Sequence, residues 1–337
     1  MKNVFYFSEI NSVGGVESWL WYLSKKYDFQ VYYRKANPEQ IKRLAQNVEC
    51  HKYKEPIKCD KFFCNYNYNI EVDSPIKKHI IHCDYKNVWF KPLQFEGFEY
   101  IGVSKLACDS FKELTNKEAE LIYNPVYIDK PKVLKYNDGK LHLISCTRLT
   151  REKGLHRMQK LARILEQNNI DYEWVVYTNR VREAIGNYVV YKEPKLDIIE
   201  EIAKADYLVQ LSDCEAFCYS VVEALCSGTK VICTDLPVFK EIGIKHGENA
   251  IVCNMDMTNV DLDLLKNKTS FKYEPPKDEW NKYLDTKKEY NPKELVEVKV
   301  LKRYTDIELN KSFNRGEIAT MTKERASYLE SKELVEW

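Results

Sequence analysis

The sequence predicts an α/β fold built from two doubly wound parallel sheets and a small C-terminal appendix. Short apolar segments alternate with segments of helical spacing, a pattern typical of βαβ units. The alternation stops in a polar segment at residues 127–140 and then restarts, which indicates a domain boundary. The length of 337 residues corresponds to about two domains. We therefore expect two sheets rather than one large sheet.

The first domain is expected to span residues 1–127. Its N-terminal segment is too short and too polar for a signal peptide, and it is predicted to form the first strand. Strands are predicted at residues 4–10, 29–33, 61–65, 79–82, 100–103 and 121–123, and helices at residues 16–27, 38–46 and 105–115. Strands and helices that alternate in this order form a parallel sheet with helices on its faces.

The second domain is expected to span residues 128–275. Strands are predicted at residues 141–146, 173–177, 207–211, 230–234 and 250–253, and helices at residues 154–167, 198–203 and 220–226. A charged helix at residues 276–291 is expected in a linking segment, 276–295. The appendix, residues 296–337, is predicted to be ββα-like, with strands at 296–304 and 317–321 and a helix at 322–332. It carries no evident chemistry, and self-association is one role it would suit.

Composition limits the classes of protein that fit. The chain has 52 basic and 51 acidic side chains, so it lacks the basic excess of a nonspecific nucleic-acid binder. No apolar run reaches the length of about 18 residues that a transmembrane helix needs. The 11 cysteines form no CxxC pair, and the histidines do not cluster with them at zinc-finger spacing. We expect reduced thiols in a cytoplasmic protein without a metal site.

The segment at residues 213–228 carries the strongest chemical signal. Glu215 is expected in the loop after the strand at 207–211, and Glu223 in the first turn of the next helix. Ligands of open α/β sheets bind at these strand ends, and helix N-terminal amides near Ser220 would point at an anion. Two carboxylates beside an anion site suit the hydroxyls of a ribose and a sugar. Alternatively, Ser220 and Glu223 form a capping box, with Gly228 as the helix stop, and Glu215 is a solvated loop carboxylate.

Two further loops follow predicted strands and open helices. Arg148 and Lys153 are expected at the same sheet edge as Glu215, where two cations would suit a diphosphate. Gly14 and Gly15 follow the first strand and let the backbone approach a ligand closely. Their spacing matches neither GxGxxG nor a Walker sequence, which disfavours a nicotinamide cofactor. Solvated surface cations and a tight turn without a ligand are the alternative interpretations.

Taken together, the Gly-Gly loop, the Arg-x4-Lys-Gly segment and the Glu-x7-Glu segment resemble the retaining glycosyltransferases of family 4 (group 1). The resemblance covers residues 1–290 and implies the GT-B architecture, two Rossmann-like domains that face a cleft. Supporting residues are Val103, Ser104, Tyr123, Asn124, Pro125, Asp235, Glu241, Gly247 and Asn249. The sequence departs from the family at Ala216 and Cys218, where glycines are frequent, and at residues 178–180, which replace a glycine-rich turn.

The resemblance implies a role for each candidate residue. Arg148 and Lys153 would neutralise the diphosphate of a UDP- or GDP-sugar, Glu215 would contact the donor sugar, and Glu223 would hold the ribose hydroxyls. The amides expected to contact the sugar and phosphate belong to Phe217, Cys218, Tyr219 and Ser220, and those that approach from the other domain to Gly14 and Gly15. His82 is expected at the cleft edge near the sugar, with a structural histidine as the alternative. Asp84 is a weaker candidate for contact with the acceptor.

The sequence therefore predicts a retaining, metal-independent glycosyltransferase with a glycan, lipid-linked or polymer acceptor and no cofactor besides the nucleotide sugar. Two alternatives stay open: the same donor chemistry on a nucleic-acid base or protein, and nucleotide-sugar binding without turnover. Aromatic and basic residues also suggest peripheral contact with the inner membrane face. They are Trp19, Trp21, Lys25 and Lys26 in a helix and Trp89, Phe90 and Lys91 in a loop. Trp19 and Trp21 do not share a helix face, so core packing is expected for at least one.

Overall fold

The computed structural model describes residues 2–66, 69–128, 131–266, 269–287 and 290–337. Two parallel sheets lie one after the other along the chain, as the sequence predicts, and a small antiparallel unit follows them. Several elements have the predicted bounds: residues 61–65, 105–115, 141–146, 230–234 and 250–253. For the strands, this agreement is expected, because a strand of a parallel sheet that is covered on both faces is apolar along its whole length.

The first domain contains a seven-stranded sheet. The strands of the whole domain, seven of them in this sheet, are β1 (Asn3–Ile10), β2 (Gln30–Ala36), β3 (Glu49–Lys52), β4 (Ile57–Lys58), β5 (Lys61–Asn65), β6 (Val72–Asp73), β7 (Ile76–Ile81), β8 (Glu99–Gly102) and β9 (Glu120–Leu121). Its helices are α1 (Gly15–Lys26), α2 (Pro38–Leu44) and α3 (Lys105–Thr115). The strand order is β3-β2-β1-β5-β7-β8-β9, and β4 pairs separately with β6. The sequence did not reveal β3, β4 and β6, because they are short and partly polar.

The second domain contains a six-stranded sheet in the order β12-β11-β10-β13-β14-β15. Its strands are β10 (Leu141–Cys146), β11 (Tyr172–Tyr177), β12 (Val189–Lys192), β13 (Tyr207–Gln210), β14 (Lys230–Thr234) and β15 (Ala250–Cys253). Its helices are α4 (Leu155–Gln167), α5 (Ile199–Lys204), α6 (Tyr219–Ser227) and α7 (Pro237–Glu241). The chain moves outward in opposite directions from β10, so a crevice opens between the ends of β10 and β13, where ligands of such sheets bind.

The two domains touch through helix ends. Glu241, at the end of α7, accepts hydrogen bonds from the backbone amides of Lys105 (2.5 Å) and Leu106 (3.3 Å), at the start of α3. A carboxylate at a helix N-terminus satisfies amides that the helix itself leaves unpaired. This contact therefore fixes the first domain to the edge of the second, beside the crevice.

The segment after the second domain returns to the first. The charged helix expected at residues 276–291 is wrong: over 276–287, the described residues form only a 3₁₀ turn, Trp280–Lys282. The Trp280 side chain is fully buried in the first domain's core, against Phe5 and Trp19. Asp278 accepts hydrogen bonds from the hydroxyls of Tyr27 (2.6 Å) and Tyr127 (2.8 Å). An extended segment lets one tryptophan reach this core while the neighbouring charges stay near the surface.

The C-terminal appendix has more strands than the ββα pattern predicted. Its elements are β16 (Leu295–Val300), β17 (Tyr304–Asp306), β18 (Lys311–Phe313), β19 (Ile318–Thr322), α8 (Lys323–Ser331) and β20 (Val335–Glu336). Strands β19, β16 and β20 form an antiparallel sheet, and β17 pairs with β18. The predicted strand at residues 296–304 is divided between β16 and β17 because the chain turns between them.

The appendix docks on the first domain through α8, which packs against α2 and β3. The buried carboxylate of Glu330 accepts the amide of Lys52 (3.3 Å) and pairs with Lys54 (3.1 Å). Lys323 pairs with Glu49 at 2.9 Å. The appendix thus covers the β3 edge of the large sheet, an edge that would otherwise expose unpaired backbone groups. Self-association through it stays a prediction.

Candidate functional site

The candidate site lies at the crevice between β10 and β13, where two loops of the second domain meet. Gly154 holds these loops together, because a Cβ atom at this position would lie 1.9 Å from the carbonyl oxygen of Leu211. Its φ of 82° also lies in the left-handed region that favours glycine. Across the same junction, the amide of Asp213 donates to the carbonyl of Glu152 at 2.8 Å. The loops after β10 and β13 therefore form one rigid edge.

Arg157 strengthens this junction, and it was not among the residues singled out from the sequence. Its buried guanidinium donates from Nε to the carbonyl oxygen of Leu211 (2.7 Å) and pairs with Asp213. Its place in the sequence gave a usable signal, because Arg157 precedes Leu161 by one helical turn on the apolar face of α4. A charged side chain on an otherwise apolar stripe indicates a buried partner.

Lys153 and Glu215 meet in this crevice. Lys153 Nζ lies 2.7 Å from Glu215 Oε1, and the two side chains are 22% and 12% exposed, so neither is a freely solvated surface group. The same Oε1 accepts hydrogen bonds from Ser212 Oγ (2.7 Å) and Gln210 Nε2 (3.0 Å). Burial by itself would lower the pKa of Lys153, but the Glu215 carboxylate raises it above its usual value. A fixed cation therefore stands beside a fixed carboxylate.

Arg148 lies at the rim of the crevice and is not joined to the Lys153–Glu215 pair. Its guanidinium is 62% exposed and pairs with Glu152 at 2.8 Å. The structure thus shows the arrangement that the surface-cation interpretation describes. The positive charge of Arg148 is nevertheless close enough to oppose the effect of Glu215, which raises the pKa of Lys153. An exposed pair of this kind is worth about 0–1 kcal/mol, so Arg148 can leave Glu152 for another anion at little cost.

The loop that enters α6 does not form the capping box of Ser220 and Glu223, so that interpretation is wrong. The N-cap is Cys218, not Ser220, and it makes no side-chain capping hydrogen bond. Glu223 then falls in the second turn of α6, and Gly228 ends the helix with a φ of 79°, as predicted. Cys218 has a φ of 71°, a conformation that costs a non-glycine residue about 1–2 kcal/mol. A glycine at this position would carry no such strain.

Glu223 is buried at the contact between the domains. Its carboxylate is 8% exposed and accepts a hydrogen bond from the hydroxyl of Tyr22 in α1 at 3.0 Å. Burial raises the pKa of Glu223 to about 7, although the Tyr22 hydrogen bond and the Arg43 charge act in the opposite direction. Phe217 and Tyr219, which precede it, are also buried. Sequence reasoning placed Glu223 beside the crevice but could not foresee Tyr22.

The raised pKa of Glu223 gives an expected pH dependence of stability. Between the ordinary value of 4.5 and about 7, the folded protein binds more protons at this group than the unfolded chain. Its contribution to the free energy of unfolding therefore falls as the pH rises through this window, and stays low above it. We expect Glu223→Gln, which keeps the Tyr22 hydrogen bond but cannot ionise, to raise this free energy by about 2 kcal/mol at pH 8.

Urea unfolding at pH 5 and pH 8 measures this effect. The gain from Glu223→Gln should be much smaller at pH 5, where the native carboxyl is already protonated. Glu248→Gln, in an exposed surface pair, is the matched control and should change stability by less than about 0.5 kcal/mol at both pH values. An equal effect of Glu223→Gln at pH 5 and pH 8 would contradict the assignment.

On the first domain, the Gly14–Gly15 turn lies at the N-terminus of α1. A Cβ atom on Gly14 would lie 2.4 Å from Glu17 Oε2, whereas one on Gly15 would meet no atom within 4 Å. The buried Glu17 accepts hydrogen bonds from the amide (2.8 Å) and the side chain (3.2 Å) of Asn11. A side chain at Gly14 would displace only the Glu17 carboxylate, while Gly15 leaves open space beside the helix N-terminus.

His82 lies just after β7, half-buried against the edge of Trp19, with ring centroids 5.0 Å apart. Burial, together with the nearby His79, lowers its pKa to about 3, so the imidazole is neutral. Its Nε2 has no hydrogen-bond partner within the part of the chain that the structure describes. Asp84 accepts hydrogen bonds from Lys86 and Asn87 in its own loop, so its carboxylate is engaged locally.

The aromatic residues proposed for membrane contact differ in exposure. Trp19 is buried in the first domain's core, so core packing is confirmed for one of the pair and membrane contact by Trp19 is wrong. Trp21 packs against Arg43, whose guanidinium lies 4.2 Å from the ring centroid. Trp89 is 94% exposed. No helix among the described residues has the length and apolar character to cross a bilayer. Peripheral contact stays a prediction, carried by the loop at residues 89–91.

Within residues 2–66, 69–128, 131–266, 269–287 and 290–337, no three or more histidine, cysteine, aspartate or glutamate side chains lie close enough together to hold a metal ion. The sequence Asp261-Leu262-Asp263 has the spacing of two carboxylates that could share a metal ion. Asp261 instead accepts hydrogen bonds from the amides of Asp263 (3.1 Å) and Leu264 (3.2 Å). Its carboxylate therefore stabilises a 3₁₀ turn, Leu264–Lys266, away from the crevice.

Comparison with known proteins identifies the fold. Residues 127–261 match the family model for glycosyl transferases group 1. The structure is similar to HepE from Anabaena in complex with UDP and glucose, with a TM-score of 0.61, 14% identity, and coverage of 79% of this chain and 89% of HepE. No curated protein matches the chain.

Two further solved structures agree. A glycosyltransferase from Rickettsia africae ESF-5 has a TM-score of 0.57 at 12% identity, over 75% of this chain and 84% of that one. WaaG, a glycosyltransferase involved in lipopolysaccharide biosynthesis, has a TM-score of 0.54 at 12% identity, over 79% of this chain and 90% of WaaG. The chain therefore has the GT-B fold that the sequence resemblance implied.

Proposed function

We propose that this chain, of which residues 127–261 match the model for glycosyl transferases group 1, transfers a sugar from a UDP- or GDP-sugar to an acceptor. The observation that carries the proposal is the Lys153–Glu215 pair, held at 2.7 Å in the crevice between β10 and β13. This is where a doubly wound sheet binds its ligand. HepE, which shares the fold, was solved with UDP and glucose, and this supports a nucleotide-sugar donor.

Lys153 is proposed to stabilise the leaving nucleoside diphosphate. Its ammonium has three donors, so it can keep its bond to Glu215 and still donate to a phosphate oxygen. Negative charge develops on the diphosphate as the bond to the sugar breaks, and a preorganised cation lowers the barrier to that step. Arg148 would add a second cation by leaving its exposed pair with Glu152. No metal ion is needed for this charge balance.

Glu215 is proposed to orient the donor sugar. The hydrogen bonds and the ion pair described above all reach its Oε1, which leaves Oε2 to accept from sugar hydroxyls. The neutral imidazole of His82, which lies just after β7, is proposed to contact the sugar from the other domain. Amides at the start of α6 and beside Gly15 would complete the phosphate site.

The proposed reaction proceeds with retention, following the resemblance to family 4. The bond between the anomeric carbon and the diphosphate oxygen breaks, and its electron pair leaves with the diphosphate. The acceptor oxygen then bonds to that carbon, and its proton passes to a phosphate oxygen. WaaG acts in lipopolysaccharide biosynthesis, and this supports a glycan, lipid-linked or envelope-polymer acceptor in the cytoplasm.

A donor panel tests the proposal. Purified protein is incubated with UDP-glucose, UDP-galactose, UDP-N-acetylglucosamine and GDP-mannose, and thermal stabilisation and release of free nucleotide are measured. We expect one donor to stabilise the protein and to be slowly hydrolysed. Both effects should be lost in Lys153→Ala and Glu215→Ala and kept in Lys245→Ala, an exposed lysine outside the crevice.

Each other outcome has a definite meaning. Binding of a donor without nucleotide release, also in the presence of glycan and lipid acceptors, would favour a nucleotide-sugar-binding protein. Failure of all four donors to bind would overturn the proposed diphosphate site. Equal loss of binding in Lys245→Ala would show that the variants act through general instability.

A further inference from the structure

The hydrogen bond between Tyr22 and Glu223 joins the two domains across the cleft. Tyr22 lies in α1 of the first domain and Glu223 in α6 of the second, and 201 residues separate them along the chain. The phenolic hydroxyl donates to Glu223 Oε1 at 3.0 Å, and both side chains are buried. The position therefore combines a buried carboxylate with a neighbour from the other domain.

Two aromatic rings cover this carboxylate. The rings of Tyr22 and Tyr219 stack, with centroids 5.5 Å apart and planes at 11° to each other. Tyr219 is anchored by its own hydroxyl, which donates to the carbonyl of Pro125 at 3.2 Å. Within the described residues, the hydroxyl of Tyr22 makes its hydrogen bond to Glu223 and to no other group. Of the two covering rings, Tyr22 is the one that a shift of the first domain would remove.

The charges around the pair keep the carboxylate available as an acceptor. Arg43, from α2, lies over the Trp21 ring, and its positive charge favours the ionised form of Glu223, as does Lys25. Burial and the charge of Asp197, from the second domain, act in the opposite sense and raise the pKa of Glu223 to about 7, so the ionised form prevails only above that pH. An ionised carboxylate accepts stronger hydrogen bonds than a neutral one. Glu223 is therefore able to exchange one hydroxyl donor for another.

We infer that Tyr22 is a latch, whose hydroxyl competes with a ribose hydroxyl of the donor nucleotide for Oε1 of Glu223. This inference rests on the proposed function, together with the contact between Glu223 and the ribose that the sequence resemblance implies. A ribose diol binds a carboxylate by donating hydrogen bonds to both carboxylate oxygens. One of these oxygens in Glu223, Oε1, already accepts from the Tyr22 hydroxyl. Donor binding thus requires Tyr22 to withdraw, which couples nucleotide entry to movement of the first domain.

The latch predicts that removing one hydroxyl strengthens nucleotide binding. Tyr22→Phe keeps the ring stack but offers no competing donor to Glu223. We expect it to bind UDP or GDP about tenfold more tightly than the wild type, since a hydrogen bond to a charged group is broken on binding only in the wild type. Inorganic pyrophosphate, which has no ribose, should bind both proteins equally. Isothermal titration calorimetry measures all three probes.

Two further variants make the test specific. Tyr207→Phe removes another buried hydroxyl, which donates to the carbonyl of Leu264 at 2.7 Å on the far side of the second domain, and it should leave all three affinities unchanged. In a Glu223→Ala background, which removes the shared acceptor, Tyr22→Phe should lose most of its effect, because the two side chains act through one contact.

The outcomes separate the latch from the proposed function. If UDP or GDP binds the wild type and Tyr22→Phe binds it equally or more weakly, the latch is wrong and the donor site stands. A gain for pyrophosphate equal to the gain for the nucleotide would also overturn the latch, because the ribose would then play no part. If neither nucleotide binds the wild type or Tyr22→Phe, both the latch and the proposed function are wrong.

Discussion

Lys153→Met is expected to lower kcat about 10²–10³-fold with the preferred donor, a larger loss of activity than we expect from any other substitution. The side chain keeps its bulk and its apolar stem but loses the ammonium that would meet the departing diphosphate. Removing one preorganised group that stabilises developing charge typically costs this much. Because the charge develops as the bond breaks, we expect kcat to fall much more than the donor's KM rises. Steady-state kinetics with the donor identified by the panel measures both.

Loss of the ammonium also affects Glu215, and a double variant separates the two effects. Lys153→Met alone leaves a largely buried carboxylate with two remaining donors, Ser212 and Gln210, and should lower the free energy of unfolding. Adding Glu215→Gln removes the unpaired charge and is expected to restore part of that stability, but not kcat. If the double variant recovers activity, Lys153 acts only by neutralising Glu215, and its proposed role at the diphosphate is wrong.

The parts of the site that the sequence predicted are those fixed by local pattern. Lys153 and Glu215 each follow an apolar strand, and strand ends of one parallel sheet meet at one edge. Their 2.7 Å contact follows from that rule, although it spans 62 residues. Gly228 was also recognisable, because a glycine after an apolar helical run ends the helix in the left-handed conformation. In these cases the local pattern and the fold agree.

The parts that the sequence could not predict depend on how the domains and segments pack. Ser220 and Glu223 have the spacing of a capping box, yet the N-cap lies two residues earlier, at Cys218, and Glu223 accepts from Tyr22. The same spacing fits both geometries, and only packing against α1 decides between them. Arg148 was expected beside Lys153, but an exposed arginine has several partners of similar energy, and Glu152 lies one turn away.

Trp280 is a second case in which packing, and not the local sequence pattern, decides the structure of a segment. Residues 276–287 contain many charges and no glycine, a composition that favours a helix by propensity. The structure instead places the Trp280 indole at the first domain's centre, where it packs edge-on against Phe5 and Phe63. Burial of one large aromatic side chain outweighs several weak helix preferences, because burying it is worth about 2–3 kcal/mol while each preference is worth a few tenths.

Trp280→Ala is therefore expected to lower the free energy of unfolding by about 3–5 kcal/mol, the largest loss of stability among these predictions. The change removes a fully buried indole and leaves a cavity lined by the rings of Phe5, Trp19 and Phe63. These rings lie on strands and a helix of the core, so they cannot move inward to fill the cavity. Urea unfolding, followed by circular dichroism, measures the effect. Trp89→Ala, at an exposed site, is the matched control and should change stability by less than about 0.5 kcal/mol.

The same variant tests whether this segment belongs structurally to the first domain. Trp280 is followed by Tyr283, whose hydroxyl accepts from Lys78 of β7 at 2.9 Å, and is preceded by Asp278, held by two tyrosines. Loss of the indole should therefore loosen the whole segment, and hydrogen exchange should rise at residues 278–284 and in β1 and β5, which line the cavity. A loss below about 1 kcal/mol, with exchange unchanged in β1 and β5, would show that the segment is held by its polar contacts and that Trp280 does not complete the core.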